Sequence, residues 1–313
     1  MSVLPIPWTA PPPPEVRGGA VTVGNFDGVH RGHRDLVTAV RAWADAHGEP
    51  AVAVTFDPPP VALLAPGRSP PPLSTLADRA ALLTAAGADH VVVLRTDAAL
   101  LDLGPEAFFD RIIVGMLDAR AVAEGYNFRF GRGRAGDTAL LSSLCAQAGV
   151  TFAEVPPHTA GGEPVSSSRV RAALAAGDVA GAADLLGRPY TIAGTVVGGA
   201  RRGRTIGFPT ANLDGVATLL PLEGVYAGRA FFDGLARPAA VNLGPNPTFG
   251  EAARKLEVHL LDFAGDLYGR EMRLQFVARL RPIRPFASPA DLVAQMTHDV
   301  AAVRAILNQG GVT

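Results

Sequence analysis

Two histidines flank a glycine where the first predicted helix begins. The segment VGNFDGVHRGHRDLV, residues 23–37, joins a short apolar strand to an amphipathic helix through a turn-forming loop. Backbone N–H groups and the positive dipole end at a helix N-terminus attract phosphate. His30 and His33 can donate hydrogen bonds to the same anion, and Gly32 leaves its approach open. The spacing therefore predicts a polyphosphate site.

Two other roles for this histidine pair remain open on the motif alone. A metal site needs further ligands, but no carboxylate or third histidine stands at a fitting local spacing. Simple capping of the helix N-terminus is the stronger alternative, and other motifs have to decide between it and phosphate binding.

Composition limits the classes of protein that fit. The 313 residues exceed the usual size of one domain, and the 48% hydrophobic content is enough for two cores. A formal net charge of −1 removes the general attraction to a nucleic-acid backbone, so we expect no nucleic-acid partner. Small anions held by local arginines stay possible.

The compartment is expected to be the cytoplasm. The single cysteine, Cys145, lies in an apolar helical pattern and is predicted to be a buried thiol. No apolar run approaches the roughly 20 residues of a membrane helix, so we expect no membrane partner, and no obligate protein partner is evident. The residues before the histidine segment are interpreted as leader, with the prolines at 11–14 as a stiff, extended lead-in.

Apolar strands alternate with amphipathic helices through the first half, which predicts an α/β domain with a mostly parallel sheet. Ligands of such sheets bind beyond the carboxyl ends of the strands, where the histidine loop lies. The later predicted strands are 51–56, 90–94, 119–123 and 150–155, and the predicted helices are 74–86 (capped by Ser74), 105–117, 137–148, 168–176 and 179–186.

Two further loops follow predicted strands of this sheet. Residues 124–134 mix aromatic side chains, glycines and three arginines, a composition that suits a planar ring beside a phosphate, although a basic surface hairpin fits as well. Residues 165–171, VSSSRVR, begin a helix that the serines can cap. Arg171 follows Ser168 by about one turn and can face the same anion.

The second half has the short strands and Gly, Asp and Pro turns of a small antiparallel barrel, after a linker at 187–189. In LEVHLLDF, residues 256–263, strand alternation places Glu257 and His259 on one face. Glu257 thus projects from a rigid strand, as a candidate base or as a solvated glutamate. The predicted strands are 190–197, 225–227, 230–232, 239–241, 256–261 and 272–280, before a helix at 289–307 with Leu292, Met296, Val300, Val303 and Leu307 on one stripe.

Taken in order, GNFDGVHRGH, YNFRFGRGRAGD and SSSRVR resemble the adenylyltransferase module of the bifunctional bacterial riboflavin kinase/FMN adenylyltransferase (FAD synthetase) family. The string GRTIGFPTAN, 203–212, and the LEVHLLDF segment resemble the kinase module of the same family. The resemblance implies a Rossmann-like HxGH nucleotidyltransferase domain at 1–186. A small β-barrel riboflavin kinase domain with a C-terminal helix would follow at 187–313.

For the first domain the resemblance implies that the FMN phosphate attacks the α-phosphorus of ATP, forming FAD as pyrophosphate leaves. His30, His33 and Arg171 would be the catalytic residues. The implied ATP contacts are Gly24, Phe26, Asp27, Gly32, Ser166, Ser167 and Ser168, and the implied flavin contacts are Phe56, Tyr126, Asn127 and Phe128.

For the second domain it implies ATP-dependent phosphorylation of riboflavin to FMN, with Glu257 accepting the proton of the attacking hydroxyl. Thr210 and Asn212 would coordinate Mg²⁺ together with the ATP phosphates. The implied ATP contacts are Gly203, Arg204, Gly207, Pro209, Thr210 and Asn212. The small-molecule partners are thus riboflavin, FMN and ATP.

The chain departs from the family pattern at two positions. Pro59 stands where the family commonly has the histidine of Pro-His-Pro, and Asn246 stands where an arginine often precedes Pro-Thr. Each change implies the loss of an anion or flavin contact. Two rival functions remain, an HxGH transferase with another acceptor, such as phosphopantetheine or nicotinate mononucleotide, and a flavin-binding regulator without turnover.

Overall fold

The computed structural model describes residues 2–199, 203, 206–246, 248 and 251–309. The chain divides into two compact units, Met1–Ser166 and Ser167–Thr313. The helix over Val179–Leu186 lies against two strands of the second unit. The functional division after residue 186 that the sequence motifs predict stays a prediction.

A parallel sheet forms the first unit, as the alternation of strands and helices predicts. Among the described residues its strand order is β1-β4-β3-β2-β5-β6, and every neighbouring pair is parallel. The order reverses at β2, which pairs with β3 on one side and β5 on the other. The strands are β1 (Ser2–Ile6), β2 (Ala20–Val23), β3 (Ala51–Asp57), β4 (His90–Arg95), β5 (Ala121–Gly125) and β6 (Thr151–Val155).

The predicted leader is wrong as an interpretation of the N-terminus, since β1 is an edge strand of this sheet. Ser2–Ile6 pairs in parallel with His90–Leu94 of β4, which leaves only one side of β1 unpaired. An edge strand tolerates Pro5, because a proline N–H is not required on its unpaired side. A second, short element follows at Pro14–Val16, where Val16 is buried.

Helices cover both faces of the sheet. Along β3, Val52 and Val54 pack into one apolar cluster, and Ala53 between them packs into the other. Cys145 is fully buried in the first of these clusters, where burial raises the pKa of its thiol to about 11. The helices are α1 (Arg31–His47), α2 (Pro60–Leu64), α3 (Leu76–Ala85), α4 (Ala98–Leu101), α5 (Pro105–Phe108, continued as a π-helix over Phe109–Met116) and α6 (Thr138–Ala148).

The start of α3 differs from the prediction. Thr75, not Ser74, caps this helix, because the Thr75 hydroxyl accepts a hydrogen bond from the Asp78 N–H. The Ser74 hydroxyl instead accepts from the Gly28 N–H, 3.0 Å away in the histidine loop. Ser74, which was expected to cap α3, therefore anchors the histidine loop instead.

An antiparallel barrel forms the second unit, as predicted, and in the described part of the chain it closes in the order β10-β13-β12-β11-β14-β9. The two runs predicted at 225–227 and 230–232 are one strand, since Gly228 and Arg229 continue the pairing with β12. The first unit also contains a hairpin of β7 (Thr159–Ala160) and β8 (Glu163–Pro164). The elements of the second unit are α7 (Ser167–Ala175), α8 (Val179–Leu186), β9 (Tyr190–Val197), β10 (Ala211–Asp214), β11 (Gly224–Phe232), β12 (Leu235–Asn246), β13 (Glu251–Leu260), β14 (Glu271–Arg281) and α9 (Pro289–Gln309).

The apolar stripe of α9 has two environments. Val303 and Leu307 are buried against the barrel, in a cluster with Leu261. Met296 and Val300, nearer the start of the helix, line an open cleft. In the described part of the chain, no helix has both the length and the apolar character needed to cross a bilayer.

We predict that Gly228→Ala lowers the free energy of unfolding by about 2 kcal/mol. A Cβ at this position would lie 2.5 Å from the Gln275 carbonyl oxygen on β14, a backbone atom that cannot rotate away. Gly198→Ala is the matched control, since a Cβ there meets no described atom within 4 Å. Urea denaturation followed by circular dichroism measures both variants, and equal stabilities would contradict the packing.

Candidate functional sites

The histidine loop lies at the carboxyl edge of the parallel sheet, between the end of β2 and the start of α1. This is the point where the strand order reverses, which is the usual ligand position in open α/β sheets. The predicted placement of the loop is therefore confirmed. Gly24 follows β2 directly, and its N–H donates to the Val54 carbonyl oxygen at 2.9 Å.

His30 and His33 are brought together as a stacked pair. Their ring centroids are 3.6 Å apart with an interplanar angle of 17°. His30 is the N-cap of α1, and its Nδ1 accepts a hydrogen bond from the His33 N–H at 3.3 Å. Because Nδ1 of His30 accepts this hydrogen bond, the ring proton of neutral His30 is on Nε2. Nε2 can donate a hydrogen bond to a ligand, so capping and ligand binding are compatible.

The environment keeps His33 neutral. Burial lowers the pKa of its imidazole well below the usual value, and the nearby His30 and Arg79 lower it further. The buried Nδ1 of His33 has no hydrogen-bond partner among the described residues. A neutral imidazole with unsatisfied polar capacity suits a site that a polar ligand completes.

The loop before the histidines is held by hydrogen bonds to residues 73 and 74. The Asp27 carboxylate accepts from the Leu73 and Ser74 N–H groups at 2.9 and 3.2 Å. Phe26 is buried with a positive φ of 46°, and its ring meets His33 edge-on at 5.2 Å. A Cβ at Gly24 would press on that ring at 3.2 Å. These three residues shape the loop, and direct ATP contacts by their side chains stay predictions.

The predicted flavin contacts lie near the carboxyl ends of two strands of the sheet, β3 and β5. Tyr126 and Asn127 are exposed in the turn after β5. Phe128 is half-buried and stacks on Phe130, with centroids 5.5 Å apart. Phe56, on β3, is also half-buried and packs against the same apolar cluster as Phe128. The structure thus offers exposed groups after β5, and their contact with a flavin stays a prediction.

The serine segment begins α7, which starts at Ser167 rather than at the predicted Ser168. Ser166 precedes the helix, and Arg171 lies on its second turn with a half-buried side chain. The role of these residues toward ATP stays a prediction.

Three polar residues of this region escaped the sequence analysis. Arg79 of α3 is 4% exposed and donates to the Thr55 hydroxyl at 3.2 Å, and Thr55 donates to the Asn25 carbonyl oxygen at 3.3 Å. His158 Nδ1 lies 2.8 Å from an Asp35 carboxylate oxygen on α1. The signal for Arg79 was its place beside Ala80 and Leu83 on the apolar face of its helix. No local sequence pattern indicated a role for His158, because its partner Asp35 is distant along the chain.

Glu124 is the third, and it lies inside a strand that is buried on both faces. Its Oε1 accepts hydrogen bonds from the Val23 N–H at 2.6 Å and the Thr22 hydroxyl at 3.4 Å. It therefore ties β2 to β5 beyond the last described backbone pair of these strands, Val21 with Val122. Burial raises the pKa of this carboxyl well above its usual value, although these hydrogen bonds oppose the shift.

We predict that Glu124→Gln becomes more stabilising relative to the unsubstituted chain as pH rises. The folded protein holds the Glu124 proton to higher pH than the unfolded chain does, so stability falls with rising pH between the two pKa values, by about 1.4 kcal/mol per pH unit. Glutamine has no such proton. Urea midpoints from pH 5 to pH 8 measure the difference.

Glu154→Gln is the matched control for this prediction. Glu154 lies directly opposite Glu124 on β6 but is exposed. We expect its substitution to leave the pH dependence unchanged. A pH-independent stability difference for Glu124→Gln would mean that Glu124 is ionised in the folded protein.

The second site is a cleft on the barrel wall. One wall consists of polar groups from β10, β12 and β13, and the other of side chains from α9 and the segment before it. Glu257 and His259 line the first wall, whereas Val258 between them is fully buried. The predicted alternation along β13 is confirmed. Further lining residues are Thr210, Asn212, Asn242, Asn246, Phe286 and Met296.

Glu257 lies between two asparagines. In the strand pairing, Asn212 of β10 stands opposite it on one side and Asn242 of β12 on the other. Asn246 also reaches it, donating from Nδ2 to Glu257 Oε2 at 3.1 Å. From the family pattern, Asn246 was expected only to mark the loss of an anion contact. In the structure it has a defined hydrogen-bond partner, Glu257.

The predicted nucleotide loop is partly described. A Cβ at Gly203 would overlap the Phe208 carbonyl oxygen, so the chain closes on itself there. Gly207 has a positive φ of 87°. The Pro209 carbonyl oxygen lies 2.8 Å from Nδ1 of His259. Arg204 lies outside the described residues, so its predicted ATP contact stays a prediction.

The residues of this wall fit a magnesium ion. Thr210, Asn212 and Glu257 all line the same cleft, and they supply hydroxyl, amide and carboxylate oxygens. Mg²⁺ prefers oxygen ligands and is commonly bound through one or two protein groups together with substrate phosphates. The donor chemistry thus supports a metal that is shared with a nucleotide.

The two units define an enzyme with a nucleotide-binding α/β site and a separate polar cleft on a barrel. Family models match them in tandem, FAD synthetase over residues 13–169 and riboflavin kinase over residues 186–307. The chain belongs to the family of bifunctional riboflavin kinase/FMN adenylyltransferases, as the motifs predicted.

Individual relatives agree with this membership. A bifunctional riboflavin kinase/FMN adenylyltransferase of Pseudomonas fluorescens is 41% identical over 294 residues, covering 94% of both chains. One of Escherichia coli strain K12 is 38% identical over 290 residues, covering 92% of both. A crystal structure from Streptococcus pneumoniae, described as a macrolide-efflux protein, matches with a TM-score of 0.86 and 29% identity, over 96% of this chain and 98% of that one.

Proposed function

We propose that this chain phosphorylates riboflavin to FMN in the barrel cleft and transfers the adenylyl group of ATP to FMN at the histidine site. The observation that carries the proposal is the presence of two polar sites, the histidine loop in the first unit and the barrel cleft in the second. Membership in a family named for both reactions supports it. Mg²⁺ belongs to the proposal, as the ion bound with the ATP phosphates at Thr210 and Asn212.

In adenylyl transfer, the chain aligns two phosphates and stabilises negative charge. An FMN phosphate oxygen bonds the α-phosphorus of ATP, and pyrophosphate leaves with the electrons of the broken P–O bond. His30 Nε2–H donates to the phosphate oxygens, while the N–H groups at the start of α1 face the same charge. The neutral state of His33 supports hydrogen bonding rather than ion pairing. The family resemblance assigns Arg171 and the serines before it to the ATP phosphates as well.

In phosphoryl transfer, Glu257 acts as the general base. It accepts the proton of the ribityl hydroxyl as that oxygen bonds the γ-phosphorus of ATP, and ADP leaves. Thr210 and Asn212 hold the metal and the nucleotide beside it. The metal supplies positive charge that balances the phosphates.

The barrel argues against an HxGH transferase for another acceptor. Neither phosphopantetheine nor nicotinate mononucleotide adenylylation requires a second cleft with a general base. A regulator without turnover fits less well, since His30, His33 and Glu257 are all present and are held by specific hydrogen bonds or ring contacts.

We predict that His30→Ala reduces FAD formation from FMN and ATP at least about 100-fold, because a donor to the transferring phosphate is lost. FMN formation from riboflavin should stay near normal, since its site lies in the other unit. Chromatography of the fluorescent products measures both rates in one sample.

His30→Asn separates catalysis from capping. Asparagine is a good N-cap, so α1 keeps its cap, but the Nε2 donor is absent. We expect this variant to be stable and still defective in FAD formation. Full activity would assign His30 to capping alone.

We predict that Glu257→Gln lowers kcat of the kinase reaction about 100-fold or more while riboflavin still binds, because the amide cannot accept the proton. Coupled ADP release measures kcat, and quenching of riboflavin fluorescence measures binding. Glu271→Gln, at an exposed glutamate on β14, is the matched control. Undiminished turnover of Glu257→Gln would remove Glu257 from the mechanism.

A further inference from the structure

A directed chain of side-chain hydrogen bonds ends on Glu257. Asn242 Nδ2 donates to Asn246 Oδ1 at 3.1 Å, and Asn246 Nδ2 donates to Glu257 Oε2 at 3.1 Å. All three side chains line the barrel cleft, and both hydrogen bonds are partly buried. Glu257 Oε1 takes no part in these two hydrogen bonds.

The order of donors and acceptors fixes both amide orientations. A carboxylate only accepts, so Asn246 has to present its NH₂ group to Glu257. Its carbonyl oxygen then faces Asn242, which in turn has to donate. Rotation of either amide by 180° would place like groups against each other. The side chain of Asn246 is therefore held in one orientation by partners on both sides.

A backbone irregularity lies next to this contact. Asn242 lies directly opposite Glu257, and in a regular ladder a residue four positions further along β12 would lie roughly 13 Å away. The pairing of β12 with β13 shifts register between Gly244 and Asn246, and Gly244 has a φ of +142°. Bulges of this kind redirect side chains and occur beside active sites. The hydrogen bond from Asn246 to Glu257 is therefore made beside this irregularity.

We propose that Asn246 is a positioning residue for phosphoryl transfer, which holds Glu257 Oε2 so that Oε1 is left to accept the proton of the attacking hydroxyl. The inference rests on the proposed role of Glu257 as the base. The hydroxyl oxygen bonds the γ-phosphorus, the bond from that phosphorus to the bridging oxygen breaks, and ADP takes the electron pair. The proton goes to Oε1, and Asn246 exchanges no proton.

Asn246→Ala in the full chain tests this role. We expect kcat of the kinase reaction to fall about tenfold to a hundredfold, with KM for riboflavin and ATP changed less than about twofold. An unchanged kcat, or a higher KM at constant kcat, would overturn the proposal. FAD formation from supplied FMN, measured in the same sample, is the control because it uses the other unit.

A double-mutant cycle separates positioning from a general structural effect. If Asn246 acts only through Glu257, adding Asn246→Ala to Glu257→Gln should lower the residual rate less than about twofold. Equal fold losses in both backgrounds would overturn the proposal. If Glu257→Gln alone has full turnover, the proposed base is wrong; if it is impaired and Asn246→Ala is not, only the role of Asn246 fails.

Asn246→Asp is the second variant, because it is nearly isosteric and keeps the acceptor for Asn242. It replaces the donor to Glu257 with a carboxylate, which repels the Glu257 carboxylate. We expect a loss of kcat at least as large as that of the alanine variant, with riboflavin still bound. Normal kcat in this variant would overturn the proposal even if the alanine variant failed to fold.

Discussion

The hydrogen bond from the His33 N–H to Nδ1 of His30 is the interaction on which the histidine site depends. It caps α1, stacks the two imidazoles and fixes the ring proton of neutral His30 on Nε2. The start of α1 therefore presents backbone dipoles and a side-chain donor together. Burial lowers the pKa of His33, and the nearby His30 and Arg79 lower it further, which favours the uncharged imidazole.

The same principle, orientation fixed by the partner of a polar group, governs the barrel cleft. Glu257 lies on a strand flanked by Asn212 and Asn242, and one of its oxygens is held by Asn246. In both sites a side chain with two usable polar atoms has one of them occupied by the protein. At Glu257, this contact also sets the direction of the remaining carboxylate oxygen.

The parallel sheet brings distant residues to the histidine site. Its order reverses at β2, and there Glu124 bridges β2 and β5 where their backbone pairing ends. Asp27 ties the loop to residues 73–74, and Arg79 supports it through Thr55. These buried polar groups are costly unless they are satisfied, so their hydrogen bonds specify one loop conformation.

The sequence by itself determined the parallel sheet, the barrel, the histidine site and the outward face of Glu257, because each follows from local periodicity or from contiguous motifs. Only the tertiary structure decided that residues 2–6 form an edge strand, that Ser74 anchors a loop instead of a helix, and that Asn246 reaches Glu257. Those outcomes depend on partners that are distant along the chain or on a register shift, and local sequence patterns predict neither. Glu124 and Arg79 could have been noticed as charges on apolar faces, but the groups that satisfy them are visible only in the folded chain.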